Sequence, residues 1–390
     1  MGRRAAAQRP HRRARRAALA ALVPVAALVT ACGGGYSPAG PFRDVPQGQP
    51  PQVAPPAPSA PAPVPTQPST PGSEQEQGDD DPNVLATDLE VPTGIAVLPD
   101  GTAIVGERDT GRLLQVFPDR SPARVLMTVP GIDTAGDGGL LGLAVSPTYV
   151  EDRLVYAYIS TATDNRVVRF PVGGTPNPVF TGIPRGEVGN GGGLLFGPGG
   201  TLYIGTGDTG DAALAADPAS LAGKVLAVDA FGTPAGPSPV FTRGHSDVTG
   251  LCVGASNQVY ASDAVRSGPD ELDALTSGRD YSPGGTRPLV ELADAEAGLG
   301  GCAVGGPSVF LGALDGKRVT AVELDPQGAP DGDPTSLVAD RYGRLRSVAV
   351  DQAGALWITT SNRDGIGTPL ERDDKVLRIL PPNAGSGSPL

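Results

Sequence analysis

Side chains suited to acid–base, metal or nucleophilic chemistry are few in this chain. Only two histidines occur, His11 and His245, and only three cysteines, Cys32, Cys252 and Cys302. A zinc site needs three or four converging ligands, and no such cluster is spelled out along the sequence. Asp208 and Asp211 sit in the run GTGDTGD, where they could hold a cation with loop carbonyls or simply cap turn amides. Cys252 and Cys302 stand in matching phrases, Gly-Leu-Cys-Val and Gly-Cys-Ala-Val.

The elements that must carry these residues repeat. Residues 189–211 hold a short apolar run, a Gly-Pro-Gly-Gly turn and a second apolar run that breaks into Gly and Asp. Two β-rich runs joined by such a turn read as a hairpin. Similar phrases occupy residues 94–111, 142–160, 250–263, 301–316 and 347–365. With Gly94, Gly142, Gly193, Gly250, Gly301 and Ser347 as phase marks, the repeat is roughly 50 residues long, the spacing of a propeller blade. Segments such as RLVYAYIS and TLYIGT alternate at period two or are apolar throughout, which excludes amphipathic helices. The expected fold is therefore all-β, a six-bladed β-propeller of four-stranded antiparallel blades over residues 83–382. A pair of β-sandwiches would leave the repeat unexplained. Val84 to Leu89 and Lys375 to Leu380 are placed to close the ring by pairing the chain's two ends.

Residues 1–31 form a different region. Seven arginines fall within the first 16 residues, and an apolar stretch runs from 17 to 31, short of the ~20 residues a spanning helix needs. This reads as a secretory signal. Its end, Leu28-Val29-Thr30-Ala31-Cys32, resembles a bacterial lipobox, which would make Cys32 the lipidated mature N-terminus. A plain signal with a stray cysteine is the alternative, and the Arg-Arg pairs alone do not make a twin-arginine motif. Residues 32–82, rich in Pro, Gln, Ser, Gly and Ala, cannot bury enough apolar surface to order themselves and read as a tether. Residues 383–390 read as a flexible tail. Without residues 1–31 the chain keeps 23 basic against 42 acidic residues, a formal charge of −19. That excludes nucleic acid as a partner, since such binding needs basic surface to displace phosphate counterions.

Cys252 and Cys302 share a repeat phase and would lie outside the reducing cytosol. Equivalent positions on adjacent inner strands can meet at disulfide distance. Two buried free thiols are the other possibility.

The repeats carry specific phrases: GERDTGR (106–112), GGLLGLA (138–144), DNRVVR (164–169), NGG (190–192) and GTGD (205–208). DPASL with GKVL (217–226), Gly244-His245, DEL (270–272), YGRLR (342–346) and TSNRDG (360–365) follow in order. Together they resemble the PQQ-dependent sugar dehydrogenases of the glucose/sorbosone and aldose sugar dehydrogenase type, across the whole propeller. The resemblance implies oxidation of an aldose at C1 to the lactone, with PQQ over the channel mouth, Ca²⁺ and a histidine base. Arginine grips planar carboxylates bidentately, a hard cation wants oxygen ligands, and hydride loss needs a base of matched pKa. By position, Arg344 and Arg346 would contact PQQ, and Asp137 replaces a family Gln or Glu near the quinone. Glu271 and the Tyr281 carbonyl would hold Ca²⁺.

Other positions depart from the family pattern. The base belongs in His-Asn-Gly-Gly-Arg-Leu, and here the sequence reads Gly189-Asn190-Gly191-Gly192-Gly193-Leu194. An Arg-Asn pair is Ser246-Asp247, Val265-Arg266 replaces a Gly-Pro or Gly-Gln, and a basic position is Asp315. His245 is the one histidine left to substitute as base, although the family has a structural histidine there. The sequence thus predicts a sugar dehydrogenase-like lipoprotein on the outer face of the membrane, with weakened PQQ binding. Its alternatives are a non-catalytic propeller that binds a glycan or protein at its mouth, or a metal-dependent lactonase.

Overall fold

The period-two runs become strands, and the turn phrases between them become hairpins. The computed structural model describes residues 81–293 and 296–381. The leader, Cys32, almost all of the tether and the tail lie outside the described residues. Six four-stranded antiparallel sheets follow one another, each built of consecutive strands except the last. Blade 1 comprises Pro92–Val97, Ala103–Glu107, Arg112–Val116 and Arg124–Thr128, and blade 2 comprises Leu140–Val145, Leu154–Ser160, Asn165–Pro171 and Asn177–Ile183. Blade 3 has Leu194–Phe196, Leu202–Gly205, Lys224–Val228 and Val240–Arg243; blade 4 has Val248–Val253, Val259–Asp263, Asp270–Ala274 and Val290–Leu292. Blade 5 has Leu299–Gly305, Ser308–Ala313, Arg318–Glu323 and Thr335–Leu337. Blade 6 takes Leu345–Val350, Leu356–Thr360 and Val376–Ile379, and its outermost strand is Val84–Ala86 from the other end of the chain. The expected six-bladed propeller and its closure are both observed.

A single blade cannot bury both of its faces. Six apolar clusters do so between blades, one at each interface: for example Leu143 with Val155 and Ile104 between blades 1 and 2, and Trp357 with Val105 between blades 6 and 1. The first strands surround an axial cavity of about 70 Å³, lined by residues from all six blades. At some positions they approach so closely that a side chain is excluded. A Cβ at Gly142 would overlap the Gly192 carbonyl, which explains why glycine marks the repeat phase. Cys252 and Cys302 are bonded across the interface of blades 4 and 5, with Cα atoms 5.6 Å apart.

Candidate functional site

In antiparallel blades, the starts of the first strands and the ends of the second strands share one face of the ring. The departed positions collect there. Gly189 and Asn190 precede blade 3, and both lean on Asp137 of the loop before blade 2. The Gly189 amide donates to Asp137 Oδ2 at 2.8 Å, and the Asn190 amide group donates to Oδ1. Asn190 is buried and also donates to the Gly186 carbonyl, so this loop is tied down.

Gly189 adopts φ +65°, a left-handed conformation that favours glycine. A Cβ there would lie 2.7 Å from the Arg266 guanidinium and 3.1 Å from Asp208 Oδ1. Arg266 and Asp208 form an ion pair over this position. The space beside Gly189 is thus filled by a cation and its partner. Asp208 therefore neutralises Arg266 and caps the Gly210 amide at 2.9 Å. Asp211 caps Ala213 at the start of the short helix Ala212–Ala216. Both carry out the turn-capping role that the sequence left open for them.

The two arginines of blade 6 have different environments. Arg344 is buried and held by Asp364 at 2.8 Å and by Asp315, whose own side chain is largely exposed. Arg346 forms no ion pair or side-chain hydrogen bond with another described residue. Burial lowers its pKa, as does Arg108, while Asp247, Asp137 and Asp364 act the other way. Asp247 accepts the Gly191 amide at 2.7 Å. Its pKa is raised to about 7 by burial and by Asp137. The mouth therefore sets one unpartnered arginine among several carboxylates.

Glu271 and Tyr281 belong to blade 4 and to the loop that follows its third strand. Glu271 is the second residue of the third strand of blade 4, opposite Asp263 in register and two residues from Asp273. Its pKa is raised to about 7 by burial, then by Asp273 and Asp263. Tyr281 stacks on the His245 ring at 5.0 Å. His245 is fully buried below the mouth, with Nε2 2.9 Å from Thr242 Oγ1 and Nδ1 3.3 Å from both Asp263 and Asp273. Burial alone would lower the His245 pKa; the two aspartates outweigh it and raise it to about 9. Walled in by these groups, His245 does not reach the mouth. Its partners are Thr242, Asp263 and Asp273 rather than groups of the mouth.

Whether PQQ fits can be judged from the arginines. A tricarboxylate needs free cations, and of Arg108, Arg266, Arg344 and Arg346 only Arg346 lacks an ion-pair partner among the described residues. The residues present do not match the group. Sequence reasoning identified most of the altered positions but missed Asp263 and Asp273. Each looks like a solvated strand-end charge until pairing of the second and third strands of blade 4 brings them beside His245.

Residues 89–284 match the family model described as glucose/sorbosone dehydrogenase. The PQQ-bound aldose sugar dehydrogenase of Streptomyces coelicolor is 37% identical, with a TM-score of 0.73 over 76% of this chain and 96% of that one. The quinoprotein glucose dehydrogenase B of Acinetobacter calcoaceticus is 25% identical over 248 residues, 52% of each chain; this chain thus spans about half the length of that relative. The aldose sugar dehydrogenase of Escherichia coli K12 is 22% identical over 77% of this chain and 92% of its own length. Sequence and fold agree with the shared phrases, and the chain belongs to the glucose/sorbosone dehydrogenase family.

Proposed function

We propose that this protein is a sugar dehydrogenase-like lipoprotein, held at the outer face of the membrane through Cys32, whose mouth binds a sugar or glycan and whose PQQ-dependent oxidation is strongly impaired. The observation that carries this reading is Gly189, with the Arg266–Asp208 pair packed where a base would stand. Carboxylates such as Asp137, Asp247 and Asp315 suit hydroxyl donors better than a cofactor with three carboxylates. A positioned base contributes roughly 10²- to 10⁴-fold to such a reaction. Calcium, where it binds, would use the Glu271 carboxylate and the Tyr281 carbonyl, which suit a hard cation.

The second reading is a working aldose dehydrogenase that forms the lactone. It is favoured by the unpartnered Arg346 and by the likeness to the Streptomyces enzyme. Purified protein with saturating PQQ and Ca²⁺ should show little or no dye reduction with glucose or arabinose, while sugar binding remains measurable by calorimetry. Robust turnover would overturn the first reading in favour of the second. In the host, Cys32→Ser should move the protein from membrane to soluble fractions; unchanged fractionation would remove the anchor from the proposal.

A further inference from the structure

Below the mouth, blade 4 buries three ionisable groups that the sugar site does not use. His245, Asp263 and Asp273 are at most 1% exposed, and one ligand atom from each lies within 4.8 Å of the others. His245 Nδ1 stands 3.3 Å from an oxygen of each aspartate. That is long for a charge-assisted hydrogen bond, which settles near ~2.7–2.9 Å. It equals the edge of a tetrahedron with metal–ligand bonds of ~2.0–2.1 Å, whose donors lie ~3.3–3.4 Å apart. Apart from these 3.3 Å ion-pair contacts, neither His245 Nδ1 nor either Asp273 oxygen has a hydrogen-bond partner. Leaving such groups unsatisfied inside a protein is costly.

The surroundings hold these donors as an outer shell would. Thr242 Oγ1 lies 2.9 Å from Nε2, and with Nε2 carrying the proton the Nδ1 lone pair faces the two carboxylates. Tyr281 stacks on the ring and fixes its plane. Asp263 accepts the backbone amides of Ser246 at 3.0 Å and Asp247 at 2.6 Å, which orient its carboxylate. Two carboxylates would balance a divalent ion. The imidazole nitrogen selects a transition metal over calcium or magnesium, which prefer all-oxygen shells.

We propose that His245 Nδ1, Asp263 and Asp273 form a structural site for one zinc-type divalent cation, which braces the loop carrying Ser246 and Asp247 beneath the mouth. The site uses neither the Glu271 carboxylate nor the Tyr281 carbonyl, and it is independent of what the mouth binds.

The test uses the untagged mature chain, so that no affinity histidines compete. Elemental analysis of the protein, stripped with chelator and then dialysed against micromolar Zn²⁺, should find about one equivalent. Zn²⁺ should raise the Tm of the stripped protein by several degrees, and millimolar Ca²⁺ should neither reproduce this nor displace the zinc. Co²⁺ should give the visible absorption of a tetrahedral nitrogen/oxygen site. Asp273→Asn should weaken zinc binding by at least ~100-fold, beyond the ~10–100-fold typical of losing an outer-shell partner. Failure of the wild-type protein to take up zinc, uptake without a Tm change, or Asp273→Asn binding zinc like wild type would each overturn the site. Should Asp273→Asn not fold, the zinc uptake and cobalt spectrum of the wild type still decide it.

Discussion

At residue 189 the backbone and a neighbouring side chain both oppose an imidazole. A non-glycine residue held at φ +65° costs ~1–2 kcal/mol. Its side chain would also have to displace Arg266, the partner of the buried Asp208 carboxylate. Gly189→His should therefore lower stability by about 2–3 kcal/mol in denaturant unfolding and leave PQQ-dependent aldose oxidation at background. Turnover restored by this one change would mean that Arg266 yields and the site is otherwise intact. The absence of a histidine at Gly189 was legible in the phrase around it, because the shared motif fixes where the family carries one. What replaced it was not legible. Arg266 reads as a loop substitution, and only the packing of blade 4 against blade 3 sends its guanidinium over Gly189. The same holds for His245, Asp263 and Asp273, whose meeting depends on strand register rather than spacing.

Period-two patterning located the strands well, and the shared phase of Cys252 and Cys302 on first strands made the observed bond one of two open readings. It gave no warning of the short helix Ala212–Ala216 or of its link to a strand. Lys224 opens the strand Lys224–Val228 and reads as a solvated charge, yet it is fully buried. Its Nζ donates to the carbonyls of Leu214, Ala215 and Ala222 at 2.9, 2.8 and 2.6 Å, tying the helix end to the blade. Lys224→Met strands these acceptors and should cost roughly 3 kcal/mol. Burial lowers the lysine pKa to about 8, below its usual 10.5. Between those values the unfolded chain holds a proton that the folded chain releases, so this residue's contribution to stability rises with pH and is lost as pH falls through 8. Urea melts at pH 7 and pH 9.5 should show the gap between wild type and Lys224→Met widening at the higher pH. A gap that narrows instead would mean that the three carbonyls keep the ammonium charged throughout.

Over the whole molecule, the count of six blades followed from one repeated phrase, because every blade must place a small residue where the first strands crowd together. Ring closure followed from the two leftover β-like segments at the ends of the repeat region. Their energetic weight emerges only from the packing. Val84–Ala86 is topologically an outermost strand, the kind that elsewhere faces solvent; in blade 1 the corresponding strand exposes Val125 by 50%. Val84, by contrast, is 3% exposed and packs with Phe310 and Leu377 at the blade 5–6 interface, while Leu85 and Ala86 join the blade 6–1 interface. One three-residue strand thus seals two interfaces and joins the chain's distant ends. Two substitutions at the same topological position should differ sharply. Val84→Asp buries an unpaired carboxylate between blades and should cost about 3–4 kcal/mol, with the transition remaining cooperative because the ring opens as a unit. Val125→Asp should stay within about 0.5 kcal/mol of wild type, as exposed substitutions do. Comparable denaturant midpoints for the two variants would show that Val84–Ala86 merely lies along blade 6 and that the propeller is closed by its other contacts.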